Sequence, residues 1–295
     1  MMKRAVTVVI ILLITFAVVT YVRPLAVFDV ARHAYLLARG FHSEYVIVGG
    51  HRIHYMTGGE GPPLLLVHGL ASRGEDYFLV MPQLARSHRV FIPDLLGFGW
   101  SDRPNIEYTV ADEEQMIRGF RDAMRIEKCD VVAMSMGGWI AMKLAAENPE
   151  RVRRLVLVDS AGFQFSTSMT ETTFTPSNRE ELRRFIDLQT DKFPYIPGFI
   201  ARDLLRANKE HAWILRRAMH AMLAGGDLMD HRVDRLTMPV LLIWGEKDRI
   251  TPLVVGQRMQ REMPHARLIT YRDCGHLAIV ECRDRALPAI ESFLR

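Results

Sequence analysis

Three features of the sequence predict an α/β fold: a mainly parallel sheet with helices on both faces, preceded by a transmembrane helix. Short apolar runs alternate with helix-like stretches over most of the chain, as expected when a buried sheet is covered by helices. Between Asp159 and Pro239 the alternation stops, and only helix candidates are found. Near the start, residues 5–22 carry no charge at all.

Residues 5–22 read AVTVVIILLITFAVVTYV, with Lys3 and Arg4 before them and Arg23 after. As a helix they span about 27 Å, close to the ~30 Å hydrocarbon thickness of a bilayer. A cleaved signal peptide is the competing reading. Its apolar core is usually shorter and ends in a small-x-small site, and none directly follows Val22. Residues 1–22 are therefore expected to be an uncleaved, single-pass membrane anchor. Arg23, Arg32 and Arg39 nearly balance Lys3 and Arg4, so the side of the membrane stays open. Residues 23–42 are expected to be a linker or interfacial helix. Leu25, Phe28, Tyr35 and Leu36 share one helical face, and Arg32 falls on the same face. A stalk helix packed on the body is the preferred form.

The body spans residues 43–295. SEYVIV and HRIHYMT, joined by Gly49-Gly50, predict a hairpin. LLLVHG, RVFIPD, DVVAM, RLVLVD, PVLLIWG and ARLITY are too short and too apolar for surface helices and are read as buried strands. The interval of about residues 160–237 is expected to be a helical lid insertion over the ligand-binding end of the sheet. Its helix candidates are NREELRRFIDLQ, GFIARDLLRANK and HAWILRRAMHAML. Most of its large apolar residues, among them Phe163, Phe174, Phe193 and Met219, should form the insertion's own core. A few should line an apolar pocket, for which methionine is well suited.

Composition excludes several classes. The chain has 295 residues, 49% hydrophobic and 24% charged, which argues against disorder, collagen and coiled coil. The net charge is +4 and the arginines are dispersed among acids, so no nucleic-acid-binding stripe is formed. Cys129, Cys274 and Cys282 are too few and too scattered to suggest a disulfide framework or a zinc ribbon.

The chemistry is concentrated at the ends of three predicted strands. Ala133-Met134-Ser135-Met136-Gly137-Gly138 joins strand DVVAM to helix WIAMKLAAENP, the G-x-S-x-G nucleophile elbow with alanine at its first position. The turn exposes the serine hydroxyl above the sheet edge and points a helix N-terminus at it. A serine hydroxyl needs a base, and the base needs an orienting group. His276, after the last strand, is the candidate base, and Asp248, after PVLLIWG, the candidate acid. The order Ser135, Asp248, His276 is that of the nucleophile-elbow hydrolases. Asp159 is the rival acid and Glu246 a weaker one. The oxyanion donors are expected to be the backbone amides of Met136 and Leu70. His68 is expected to be a structural loop residue.

His68-Gly69, PDLLGFGWSD (93–102), Ser135-Met136-Gly137-Gly138, Asp248 and Gly275-His276 resemble the α/β-hydrolase superfamily from about residue 43 onward. PDLLGFGWSD, SMGG and VDSAGF (158–163) further resemble the membrane-anchored monoacylglycerol lipases and related bacterial lipases. SMGG also resembles the carbon–carbon hydrolases of ring-fission products. The resemblance implies a membrane-tethered serine esterase or lipase. It would cleave small-molecule or lipid esters without metal or organic cofactor, and membrane lipid would be its partner through the anchor. A carbon–carbon bond hydrolase and a non-catalytic binding protein on the same scaffold are the alternatives. Tethering should be separable from chemistry, so a chain beginning near Phe41 should still hydrolyse a short soluble ester.

Overall fold

A computed structural model describes residues 2–190, 192 and 195–295, apart from the side chains of residues 2–6, 10 and 12. Lys3, Arg4 and the insertion's Phe193 thus lie outside the described side chains. Eight strands form one sheet: β1 (His42–Val48), β2 (His51–Gly58), β3 (Pro63–Val67), β4 (Arg89–Pro93), β5 (Cys129–Met134), β6 (Val152–Val158), β7 (Val240–Gly245) and β8 (Arg267–Tyr271). Their order is β1-β2-β4-β3-β5-β6-β7-β8. β1 pairs with β2, and β2 with β4, in antiparallel fashion; β4 through β8 are parallel.

The helices are α1 (Met2–Val22), α2 (Pro24–Leu37), α3 (Met81–Leu84), α4 (Val110–Ala123), α5 (Met136–Glu147), α6 (Arg179–Gln189), α7 (Gly198–Ala224), α8 (Leu253–Glu262), α9 (Ala278–Glu281) and α10 (Arg283–Leu294). The two-residue period of the strands divides the core. Leu65, Val67, Val131, Ala133, Leu155, Leu157, Leu242 and Trp244 face the cluster shared with α4, α5 and α8. Their neighbours Leu64, Leu66, Val132, Val156, Leu241 and Ile243 face the cluster shared with α2, α3 and α10. Burial on both faces explains why these runs are almost continuously apolar.

α1 ends at Arg23, whose backbone (φ −133°, ψ 57°) leaves the helix, and Pro24 starts α2. Proline has no N–H to lose at that position, so a new helix direction begins there at low cost. Among the described residues no single helix is long and apolar enough to cross a membrane. Thr7–Val22 and Pro24–Leu37 meet that test together, but are bent by 107°. α2 packs on the body: Leu36 is completely buried beside Phe41 and Met56.

In the insertion between β6 and β7, the two expected helices of residues 198–224 are one helix, α7. No glycine or proline interrupts it after Gly198, and it is buried near both ends, at Ala201 and Asp203 and again at Ile214, Leu215, Ala218 and Met219. It stops at Gly225, which adopts φ 70°, the left-handed geometry typical of a helix C-terminus.

Candidate active site

β5 runs straight into Ser135, which has φ 54° and ψ −125°. A non-glycine residue in this region is strained and persists only where its surroundings hold it. Here the Ser135 N–H donates to the Val158 carbonyl at 3.0 Å, and the Ala161 N–H donates to the Ser135 carbonyl at 3.1 Å. Ala133 is still a strand residue, paired with Val67 on one side and Leu157 on the other. Its methyl is accommodated in the core, which explains why the first elbow position does not require glycine. Gly137 and Gly138 have stricter roles. A Cβ on Gly137 would lie 2.4 Å from the Val67 carbonyl oxygen, and one on Gly138 2.1 Å from Ser160 Oγ. Both glycines let α5 start directly against the ends of β3 and β6.

The side chains of Ser135, His276 and Asp248 form one buried chain. Ser135 Oγ lies 2.9 Å from His276 Nε2, and His276 Nδ1 lies 2.8 Å from Asp248 Oδ2. The other Asp248 oxygen accepts the Ile250 N–H at 2.8 Å and the Thr251 N–H at 2.9 Å. A carboxylate so held is fixed in orientation. Thr251 was not anticipated from the sequence. Its hydroxyl donates toward Asp248 Oδ2 at 2.8 Å and sits 3.2 Å from His276 Nδ1. Its position three residues after Asp248, in the loop that wraps the carboxylate, was the available signal.

Asp159 does not bond to His276. It is fully buried, and its two oxygens accept the Gly245 N–H at 2.8 Å and the Ala278 N–H at 2.9 Å. It therefore ties the loop before Asp248 to the residues after His276. Burial, and then the neighbouring Asp248 charge, push its carboxyl well above the usual range. Glu246 stands apart, accepting the Thr270 hydroxyl at 2.7 Å.

The two residues expected to supply the oxyanion amides, Met136 and Leu70, both lie beside Ser135. Met136 is the first residue of α5, where the N–H has no partner within the helix. Gly69 lets the opposite loop approach: a Cβ there would lie 3.1 Å from Ser135 Cβ. Leu70 and Ser135 line the same two cavities. His68 is buried and structural. Its Nε2 accepts the Leu95 N–H at 3.0 Å, so Nδ1 carries the proton and donates to the Gly69 carbonyl at 2.8 Å. Burial lowers its pKa, which keeps the ring neutral.

The PDLLGFGWSD segment wraps around Asp94. That carboxylate accepts the Gly74 and Trp100 N–H groups at 2.7 and 2.9 Å and faces His54 Nδ1 at 2.8 Å. Burial alone would raise its pKa, but the His54 contact and the backbone donors outweigh it and hold it low. Gly99, at φ 51°, leaves room for this carboxylate.

Cys274 and Cys282 are paired as a disulfide, against the expectation that the cysteines are too scattered. The loop between them carries His276, and tertiary folding rather than sequence spacing brings the two together. Arg285 lies 2.9 Å from Cys282 Sγ and also binds Asp273. A cation at that position disfavours a metal on Asp273, Cys274 and Cys282.

Two cavities meet at Ser135. One, of about 110 Å³, is lined by Trp139, Phe163, Met169, Phe174, Met219 and Met222, among others. The second, of about 300 Å³, is bounded by His276, Leu277, Phe185 and the residues 69–72.

A family model described as the alpha/beta hydrolase family matches residues 64–288. A 2-hydroxymuconate semialdehyde hydrolase of Pseudomonas putida is 32% identical over 267 residues, covering 84% of this chain and 92% of its own. Lipase 1 of Psychrobacter immobilis is 27% identical over 266 residues, covering 84% and 82%. Among solved structures, a bacterial membrane phospholipase A superposes with a TM-score of 0.85 at 24% identity. The match spans 99% of this chain and 98% of the other, and at that identity it speaks to the fold alone. With a hydrolase elbow at Ser135, an eight-stranded sheet beneath it and a family match over most of its length, the chain belongs to the alpha/beta hydrolase family.

Proposed function

We propose that this hydrolase is a membrane-tethered serine enzyme that cleaves carboxylic esters of lipid type, such as monoacylglycerols, through an acyl-enzyme. The observation that carries the reading is the buried relay from Asp248 through His276 to Ser135 Oγ. Ser135 Oγ attacks the ester carbonyl while His276 Nε2 takes its proton. Asp248 holds the Nδ1–H tautomer and stabilises the imidazolium. The carbonyl oxygen becomes an oxyanion, stabilised by the N–H groups of Met136 and Leu70. Collapse breaks the carbon–oxygen bond, and His276 returns its proton to the departing alcohol. Water, deprotonated by the same histidine, then releases the acid and regenerates Ser135.

Cavity chemistry favours an acyl chain. Among the described residues lining the two cavities at Ser135 there is no lysine or arginine. A ring-fission product brings a carboxylate, which needs a cation or several donors when buried. The carbon–carbon reading nevertheless has its own support, because the 2-hydroxymuconate semialdehyde hydrolase shares 32% identity with this chain. α6 and α7 act in the proposal as the lid. Val8, Ile11, Leu13, Ile14 and Phe16 of α1 are exposed apolar residues, and a bilayer would bury them.

The test uses the purified full chain in detergent micelles. A fluorophosphonate should label wild type and not Ser135→Ala, and the mutant should lose at least about a thousandfold in ester turnover. A panel of p-nitrophenyl esters, monoacylglycerols and 2-hydroxymuconate semialdehyde decides between the readings. Faster turnover of the semialdehyde than of any ester would overturn the ester assignment. An unlabelled wild type would leave the binding-protein reading.

A further inference from the structure

Arg32 is 5% exposed, an unusual burial for an arginine on a helix that precedes the sheet. It lies on the face of α2 turned to the body and inserts its guanidinium among three acids. It pairs with Asp76, sits 3.0 Å from Asp29 and lies 3.5 Å from Glu75, which is itself buried. The neighbouring His33 meets Glu75 at 2.5 Å. Asp29 is on α2 itself, whereas Glu75 and Asp76 belong to one short 3-10 turn, Gly74–Tyr77, directly after the loop that carries Leu70.

Asp76 faces two ways. One oxygen takes Arg32; the other accepts the Ser72 hydroxyl at 2.9 Å and the Arg73 N–H at 3.0 Å. The loop it grips is conformationally demanding. Ala71, between Leu70 and Ser72, has φ 61°, a left-handed geometry that a residue with a side chain keeps only under constraint. The next residue toward Ser135 is Leu70, whose N–H is the second oxyanion donor of the reading above.

We propose that Arg32 is a positioning residue of the oxyanion hole: it clamps Asp76, and Asp76 fixes residues 71–73 so that the Leu70 N–H points at the reacting oxygen. The inference rests on the serine-hydrolase reading. It makes α2 part of the reaction machinery rather than a passive stalk. Arg32 lines neither of the two cavities at Ser135, so its effect is exerted through Asp76.

The test compares wild type, Arg32→Met and Arg32→Lys as full chains in detergent micelles. Active sites are first counted with a fluorophosphonate, so that misfolded protein drops out of every rate. The kcat per titrated site and KM are then measured for a short ester and for its thionoester analogue, whose sulfur is a poor hydrogen-bond acceptor. A fully lost oxyanion donor costs a factor on the order of 10² to 10³. A loosened donor should cost Arg32→Met about ten- to a hundredfold in kcat, with KM within about twofold. The preference for oxygen over sulfur should shrink by a similar factor. Arg32→Lys, which keeps the charge but not the forked geometry, should recover part of both. If Arg32→Met does not fold, Arg32→Lys alone must show the loss in both quantities. Unchanged kcat per site and an unchanged oxygen-to-sulfur ratio overturn the proposal, whatever the melting temperature does. A wild type that does not titrate overturns the serine-hydrolase reading and the proposal with it.

Discussion

Replacing Asp248 and Asp159 by asparagine, one at a time, separates an acid that orients the base from an acid that orients loops. Asp248 has four donors around it: the Ile250 and Thr251 N–H groups on Oδ1, and the Thr251 hydroxyl and His276 Nδ1 on Oδ2. In Asp248→Asn the amide oxygen must stay on the two backbone N–H groups, so the NH₂ faces His276. Nδ1 then becomes an acceptor and the proton moves to Nε2, where it points at Ser135 and cannot take a proton from it. The expected loss in turnover is on the order of 10⁴, or about 5.5 kcal/mol of transition-state stabilisation. Among the described residues the carboxyl oxygens of Asp159 have only backbone donors, Gly245 and Ala278. In Asp159→Asn one of these N–H groups faces an NH₂. Leaving a buried donor unsatisfied should cost about 1–3 kcal/mol of stability, with turnover per active site reduced less than about tenfold. The pH dependence has a definite sign. The folded-state pKa of Asp159 is raised, so its contribution to stability is complete below the unfolded carboxylate pKa. It is lost as pH rises through the folded value. The stability of wild type relative to Asp159→Asn should therefore fall from acid toward higher pH. Active-site-titrated kcat values and denaturation midpoints at several pH values test both statements. A larger per-site loss for Asp159→Asn than for Asp248→Asn would refute the assignment.

Three further outcomes are expected. Reducing the Cys274–Cys282 bond, or replacing Cys282 by serine, should lower stability by about 2–3 kcal/mol, the loop-closure value for so short a span; an unchanged denaturation midpoint under dithiothreitol would argue against a structural staple. The full chain should resist extraction from membranes by high salt, because apolar burial rather than charge would hold α1 there, and salt alone releasing it would remove the anchor. A chain beginning at Arg23 should keep short-ester turnover; the chain beginning near Phe41, expected from the sequence alone to stay active, should instead lose most of its folded fraction, since that cut removes the buried Leu36 and Arg32, and equal active-site titres for both chains would contradict this.

Much of the fold was legible because its signals are local. A buried parallel strand must be apolar on both faces, so LLLV, VVAM, LVLV and VLLIW announce themselves without neighbours, and each lies in an observed strand. The elbow was legible for a similar reason: a strand, a serine, two glycines and a helix lie within ten residues. What sequence could not decide depends on how distant segments meet. Asp159 and Asp248 each follow the end of one of two adjacent parallel strands, β6 and β7, so chain position treats them alike, and only the loop geometry puts one of them on His276 Nδ1. Cys274 and Cys282 looked scattered because the turn between them, with α9 inside it, brings their sulfurs together only after folding. Arg32 looked like a flaw in an apolar face until three acids from and around that helix were found about its guanidinium. Residue type and spacing were enough for the strands, the elbow and the apolar first segment. Only the folded chain shows which acid bonds to His276, what ties the neighbouring loops together and what surrounds Arg32, because a buried polar group takes its role from the partners that surround it.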